Sequence, residues 1–191
     1  MDQCGKDSLM LATMATKDIP TQAQVLKYNS VFGDPRGRSG GIVSAAWYQK
    51  NMGMIFPPFK MQMGTIPITK IAFHQLAAPF LARALDDIWS AAKEKQSTID
   101  LWGMSKFSGA FNYRPMRGLD TLSMHSFGIA VDFDAANNGL GDQSPRFARF
   151  PEVLRCFAKH GFMWGGDWNG NGLSSDERRA DGMHWQLTRR V

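Results

Sequence analysis

Four side chains in the second half of the sequence could hold and use a divalent metal ion. His125 and Asp132 lie seven residues apart, and Asp181 precedes His184 by three residues. Two imidazoles and one carboxylate are a typical ligand set for catalytic zinc, which keeps a fourth position for water. A further carboxylate can take a proton from that water and pass it to a leaving amine. The pattern predicts metal-dependent hydrolysis, in which His125, Asp132 and His184 bind the metal. Asp181 is the expected general base.

Two strand-like runs would carry two of the expected ligands. Residues Ile129 to Asp134 alternate, which places Asp132 on the polar face of a strand. Residues Met183 to Leu187 alternate in the same way, and His184 and Gln186 are predicted to face outward. Two strands far apart in the chain can therefore present a carboxylate and an imidazole to one another.

The first histidine needs a bend to reach the same place. In a straight strand, the odd separation of His125 and Asp132 would put them on opposite faces. Gly128, between them, can adopt the backbone conformation of such a bend. From spacing alone, a hydrogen-bonded surface histidine and a capping aspartate remain the alternative interpretation.

The elements around these runs predict a mixed architecture. Apolar residues recur at helical spacing from Pro79 to Lys95. A second helix is predicted from Ser144 or Pro145 to His160, with Ser144 as its cap, and Pro151 could break it. Phe162 to Trp164 is a third short strand. We expect an α+β fold in which helices pack on one side of a small antiparallel sheet.

The first 70 residues are harder to interpret. Asn29 to Gly41 is rich in glycine and predicts a loop. Met52, Met54, Met61 and Met63 recur at a period of two around a Pro-Pro pair. A soft-metal site of thioethers is conceivable, but a half-buried hairpin is the favoured interpretation because methionine commonly fills irregular core gaps.

Composition and charge restrict the classes of partner. The chain of 191 residues is 43% hydrophobic and 12% aromatic, as expected for a globular protein with a core. Its net charge of +5 favours anionic partners, but no nucleic-acid motif accompanies it. The only cysteines are Cys4, expected at the surface, and Cys156, expected in the core. Residues Met1 to Asp7 do not resemble a signal peptide, and we expect no membrane insertion.

The residues of two segments resemble the motifs of one family of hydrolases. The segment from Ser123 to Asp132 reads Ser-Met-His-Ser-Phe-Gly-Ile-Ala-Val-Asp, similar to the Ser-x-His-x-x-Gly-x-Ala-x-Asp motif of LAS-type zinc peptidases. Gly165-Gly-Asp-Trp168, followed by Asp181-Gly-Met-His-Trp185, resembles their closing motif. The resemblance covers about residues 100 to 188. The family includes D-alanyl-D-alanine carboxypeptidases and the L-alanyl-D-glutamate endopeptidases of phage endolysins.

The resemblance implies that His125, Asp132 and His184 bind zinc and that Asp181 is the base, as the residue types also predict. It further implies a hedgehog/D-Ala-D-Ala peptidase-like fold. The carboxypeptidase branch more often has glutamate at the position of Asp181. An aspartate at this position is more similar to the endolysin branch. Arg114 precedes the first motif much as a substrate-binding arginine does in the family, and a surface salt bridge is its alternative role. Ser123 is a further substrate-binding candidate. The implied division is a catalytic domain over residues 71–191 and an extension of unknown role over residues 1–70.

A second metal site is a further interpretation of the sequence. Asp167, Asn169 and Asn171, followed by Gly172, have the oxygen spacing that opens a calcium loop. Arg178 occupies the position where a calcium-binding glutamate belongs. A plain Gly/Asn-rich turn is therefore the favoured interpretation, and weak Ca²⁺ binding is the alternative.

The sequence thus predicts a zinc-dependent L-alanyl-D-glutamate endopeptidase that acts on peptidoglycan stem peptides. A D-alanyl-D-alanine carboxypeptidase and a non-catalytic wall-binding module with a structural zinc are the alternatives. We expect a monomer with no nucleic-acid partner, made in the cytoplasm and acting on the cell wall after phage-type release or as part of a particle.

Overall fold

The computed structural model describes residues 14–39, 41–172 and 174–191, and it confirms the predicted α+β class. The predictions for Cys4 and for the first seven residues lie outside these ranges. The α-helices are α1 (Gln22–Val25), α2 (Ala45–Asn51), α3 (Ala78–Ala91), α4 (Gln96–Trp102) and α5 (Pro151–Lys159). The strands are β1 (Met52–Ile55), β2 (Met61–Met63), β3 (Ile66–Ile68), β4 (Ile71–His74), β5 (Phe107–Gly109), β6 (Ala130–Phe133), β7 (Met163–Trp164) and β8 (His184–Gln186). Short 3-10 helices span Thr16–Asp18, Met124–Phe127, Ala135–Asn137 and Arg146–Arg149.

A four-stranded antiparallel sheet forms the centre of the second half of the chain. Its strand order is β5-β6-β8-β7, so the two predicted ligand-bearing strands are neighbours. In the register of β6 and β8, Asp132 lies directly opposite His184. Buried Val131 lies opposite buried Trp185 in the same register, on the core face of the sheet. The alternation of apolar and polar residues thus fixes which side chains share a face, and the register sets which of them meet.

Two helices pack together beside this sheet. α3 begins near Pro79 and buries the face that carries Leu81, Leu85 and Ile88. α5 packs against both α3 and β7. Within the described residues, no helix is both long enough and apolar enough to cross a lipid bilayer.

The predicted second helix is divided, and its predicted cap is wrong. Pro151 starts α5, and the 3-10 helix Arg146–Arg149 precedes it, so the break expected at this proline is confirmed. The residue that caps α5 is Phe150, not Ser144. The ring of Pro151 is compatible with a first helical position but not with a continuous helix through it.

The predicted methionine hairpin is also wrong in its pairing. β1 pairs with β4, and β2 pairs with β3 across a two-residue turn. Strand alternation indicated β-structure correctly, but alternation does not identify the partner of a strand. The tight two-residue turn favours the pairing of β2 with β3. The β1–β4 pair joins residues on both sides of residue 70, and the division into two domains there stays a prediction.

The outward face predicted for β8 is covered. His184 is 8% exposed and Gln186 is 2% exposed. The N-terminal segment lies alongside the chain after β8, where Thr21 bridges to Arg189 and the Arg189 N–H donates to the Pro20 carbonyl at 3.1 Å. The alternation marks these side chains as polar, but the covering segment comes from a distant part of the sequence.

One buried histidine in the core should make the protein sensitive to acid. His74 on β4 is fully buried, with its ring centroid 5.1 Å from that of Phe32 and 5.8 Å from that of Trp47. Burial lowers the pKa of His74 from the ordinary 6.5 to about 4. The unfolded chain therefore takes up a proton more readily than the folded protein. The contribution of His74 to stability is fully present above the pKa of the unfolded chain, and it is lost as the pH falls from there towards about 4.

We expect the free energy of unfolding to drop by about 3 kcal/mol over this pH window because of His74. Urea denaturation at about pH 7 and at about pH 4.5 measures it. The variant His74→Asn should lose this part of the pH dependence, whereas the control His160→Asn, on a partly exposed histidine, should retain it. An equal acid-induced drop in wild type and His74→Asn would contradict the assignment.

Candidate metal centre

Three atoms that can each donate a lone pair meet at one point beside the central sheet. His125 Nε2 lies 3.1 Å from His184 Nδ1 and 3.2 Å from Asp132 Oδ1. His184 Nδ1 lies 3.1 Å from Asp132 Oδ1. Tetrahedral zinc, with ligands at 2.0–2.1 Å, separates its ligand atoms by about 3.3 Å. The triangle therefore has the size of one face of a zinc coordination sphere, and these residues could hold a metal ion.

The backbone around Gly128 brings the first histidine to the triangle. Ser123 caps the 3-10 helix Met124–Phe127, and Gly128 ends it in the left-handed region at φ 66°. A Cβ atom on Gly128 would lie 2.7 Å from the sulfur of Met52 and 3.0 Å from the amide nitrogen of His74. The predicted bend is present, and the close approach of β1 and β4 leaves space there only for glycine.

The outer nitrogens of both imidazoles have acceptors that direct the lone pairs inward. His125 Nδ1 lies 2.6 Å from the Ala110 carbonyl, which can only accept. His184 Nε2 lies 3.1 Å from Gln186 Oε1, which also accepts. When each outer nitrogen carries the proton, the inner nitrogens offer their lone pairs to each other and to Asp132. Such an arrangement requires a positive charge at its centre.

The electrostatics of the triangle agree with a site for a cation. Burial alone would raise the pKa of Asp132, but the hydrogen bonds with His125 and His184 outweigh it and hold the pKa well below its usual range. Burial lowers the pKa of His184, and the contact with Asp132 more than offsets this, so the pKa is raised overall. The site attracts positive charge, which a proton or a metal ion can supply.

Asp181 lies at the edge of the same site with its backbone fully bonded. Its N–H donates to the Gly165 carbonyl at 2.8 Å, and its carbonyl accepts from the His184 N–H at 2.9 Å. A Cβ atom on Gly165 would collide with this carbonyl, so the closing Gly-Gly motif permits the close approach. Asp181 Oδ1 is buried and has no hydrogen-bond partner within the described part of the chain. Burial raises the pKa of Asp181, with the Asp132 charge adding to it and His184 opposing it.

The two substrate-binding candidates have local partners in the structure. The Arg114 guanidinium donates to the Pro115 carbonyl at 3.1 Å, while the Arg114 N–H donates to Ser126 Oγ at 2.9 Å. Ser123 is buried, and its Oγ accepts from the His125 N–H at 3.4 Å. The structure therefore places Ser123 in contact with the backbone of His125, and substrate contacts by Arg114 and Ser123 stay predictions.

The Gly/Asn-rich segment is a loop braced by internal hydrogen bonds. The two carboxylate oxygens of Asp167 accept from the N–H groups of Gly170 and Gly172. The side-chain amides of Asn169 and Asn171 both donate to Asp176. These bonds suit the plain turn, and calcium binding by this loop stays a prediction.

Two contributors to the site did not come from the sequence motifs, and Trp168 of the closing motif joins them. The Ala110 carbonyl and the Gln186 amide orient the two histidines, and the Trp168 ring lies with its centroid 5.8 Å from that of His184. Gln186 follows His184 by two positions in a strand, so a shared face was a usable signal. Residue types do not reveal a contact that is made by a backbone carbonyl, such as that of Ala110.

The comparison with known families matches the segment that builds this centre. Residues 117–187 match a family model described as D-alanyl-D-alanine carboxypeptidase. The segment contains the three triangle residues and Asp181, and Arg114 lies outside it. Comparison with curated proteins and with solved structures found no match. The resemblance found in the motifs is thus confirmed: residues 117–187 match the D-alanyl-D-alanine carboxypeptidase family of LAS-type zinc peptidases, which supports a peptidase.

Proposed function

We propose that the chain is a zinc peptidase that cleaves the stem peptides of peptidoglycan, as an L-alanyl-D-glutamate endopeptidase. The observation that carries the proposal is the triangle of His125, Asp132 and His184, whose inner atoms lie 3.1–3.2 Å apart. A buried carboxylate oxygen of Asp181, free of partners in the described chain, accompanies it. Such a group next to a metal ion is suited to move a proton during hydrolysis.

The donor set is suited to zinc. Two imidazole nitrogens and one carboxylate oxygen are typical of catalytic zinc sites with an open position. When bound, zinc polarises a carbonyl and lowers the pKa of water. The chain's own residues hold the ion: His125 and His184 through nitrogen, and Asp132 through oxygen. The Ala110 carbonyl and Gln186 keep the imidazoles oriented.

Asp181 would move the proton. Its Oδ1 accepts a proton from water while the water oxygen bonds to the carbonyl carbon of the scissile amide. The carbon–nitrogen bond then breaks, and Asp181 returns the proton to the leaving nitrogen, so that an acid and an amine are formed. Burial raises the pKa of Asp181 towards the range in which a carboxyl both accepts and donates protons.

The proposed substrate class rests on charge and on the identity of the base. A net charge of +5 favours binding to an anionic wall polymer. Aspartate rather than glutamate at position 181 resembles the endolysin branch. Arg114 would steady the developing oxyanion or a substrate carboxylate through its guanidinium. We further propose that residues 71–191 are the catalytic part and that the protein acts on the cell wall after phage-type release or as part of a particle.

The test is digestion of purified peptidoglycan with zinc present, with and without a chelator, followed by mass spectrometry. We expect peptides that begin with D-glutamate and glycan strands that retain L-alanine, and we expect the chelator to abolish them. Loss of a single terminal alanine would contradict endopeptidase activity. It would indicate a D-alanyl-D-alanine carboxypeptidase, the activity that the family description names. Binding to the wall without any new amine terminus would overturn peptidase function and favour a wall-binding module.

A further inference from the structure

A hydrogen-bonded chain of side chains runs from the metal centre to the N-terminal segment. His184 Nε2 lies 3.1 Å from Gln186 Oε1, and the Gln186 amide nitrogen donates to Gln22 Oε1 at 2.9 Å. The same nitrogen donates to Thr188 Oγ1 at 2.7 Å. Gln186 and Thr188 are both buried, so water does not compete for the bond between them, and Gln22 is partly buried. A residue near position 20 is thus two hydrogen bonds away from an expected metal ligand.

These contacts fix the orientation of the Gln186 amide. Both of its hydrogens are used, one on Gln22 and one on Thr188, so its oxygen must face His184. If the amide were reversed, its oxygen would face the oxygen of Gln22. Its nitrogen would then donate to His184 Nε2 and force the imidazole proton onto Nδ1, which is the atom in the metal triangle. The reversed orientation would therefore remove a metal-binding lone pair.

Gln22 is itself held in one orientation. Its amide nitrogen points to the sulfur of Met116 at 3.8 Å, which leaves its oxygen for Gln186. Thr21 and Gln24 form a capping box at the start of α1, and Thr21 bridges to Arg189 beyond β8. The segment that carries Gln22 thus lies against the residues that follow β8, the strand that carries His184.

We propose that Gln186 and Gln22 are positioning residues of the metal centre. Gln186 holds the His184 imidazole with its Nδ1 lone pair towards the metal, and Gln22 holds the Gln186 amide in the orientation that does so. This inference rests on the proposed metal site. It assigns a role to part of the N-terminal extension, because the metal centre of the second half is completed by a residue of the first.

The test uses the full chain and the near-isosteric variants Gln186→Met and Gln22→Met, with Gln62→Met on an exposed strand residue as the matched control. Zinc affinity is measured by competition with a chromophoric chelator. Loss of a hydrogen-bond partner behind a metal-binding histidine typically weakens metal binding by 10- to 100-fold, which is the loss expected for Gln186→Met. For Gln22→Met, one step further away, we expect a loss on the order of threefold to tenfold. The control should bind zinc as wild type does.

A second measurement separates positioning from general loosening of the fold. The ¹⁵N shifts of the His184 ring in metal-free protein, in alkaline buffer where imidazoles are neutral, report which nitrogen carries the proton. We expect the proton on Nε2 in wild type and a mixture of the two forms in Gln186→Met. Unchanged ring shifts and unchanged zinc affinity in both variants would overturn the inference. If Gln186→Met does not fold, Gln22→Met decides the question alone by the same two measurements.

The outcomes are independent of peptide cleavage. If wild type binds zinc and cuts peptidoglycan while both glutamine variants match it, the inference fails and the proposed function stands. If wild type cuts nothing but the variants lose zinc affinity in the expected order, the inference stands and the proposed function fails.

Discussion

Replacing Asp181 with asparagine is expected to slow peptide cleavage by about 10²- to 10⁴-fold, the usual contribution of a positioned acid–base group. Asparagine has the same shape but cannot accept and return a proton. Its backbone bonds to Gly165 and His184 do not involve the side chain, so the site should keep its geometry. The measurement is the initial rate of cleavage of a purified stem peptide at saturating zinc.

Zinc affinity and the melting temperature are the controls for Asp181→Asn, and both should stay close to wild type. The matched variant Asp86→Asn, on the exposed side of α3, should leave cleavage unchanged. A cleavage rate for Asp181→Asn equal to that of wild type would remove this residue from the mechanism. Equal loss of zinc and of activity would show that it supports the metal instead.

The second large effect concerns the metal itself. In wild type, zinc at about 1,000 times its dissociation constant should add about 4 kcal/mol to the free energy of unfolding, because only the folded protein joins the three ligands. Asp132→Ala removes the carboxylate that contacts both His125 and His184. We expect this variant to lose the zinc-dependent gain in stability together with peptide cleavage.

Thermal unfolding with and without zinc measures the effect of Asp132→Ala, and Asp86→Asn serves again as a matched control that should respond as wild type does. The metal-free variant should still fold, because the core side chains Val131 and Phe133 on the same strand are unchanged. An undiminished zinc response in Asp132→Ala would place the ion elsewhere in the protein.

The sequence predicts the strands of the site well because they obey a period of two. Alternation around Asp132 and around His184 reflects burial of Val131 and Trp185, and it places the two expected ligands on the same face of the sheet. The bend at Gly128 could also be predicted from the sequence, because glycine tolerates such a bend. In the structure, only a residue without a side chain fits so close to Met52. Local pattern and local sterics determine these features.

Features that depend on distant pairings could not be predicted. Alternation around Met52 indicated a strand, but its partner is the more distant β4, which the local pattern does not reveal. Gln186 was expected to face outward, because nothing near it in the sequence announces the N-terminal segment that covers it. The Ala110 carbonyl that orients His125 is backbone, which residue types do not reveal.

The most direct test of the account is a crystal structure of zinc-loaded protein with anomalous diffraction recorded at the zinc edge. We predict one strong peak about 2.0–2.2 Å from His125 Nε2, Asp132 Oδ1 and His184 Nδ1. A zinc peak at any other group of residues, with these three side chains free of metal, would contradict the account.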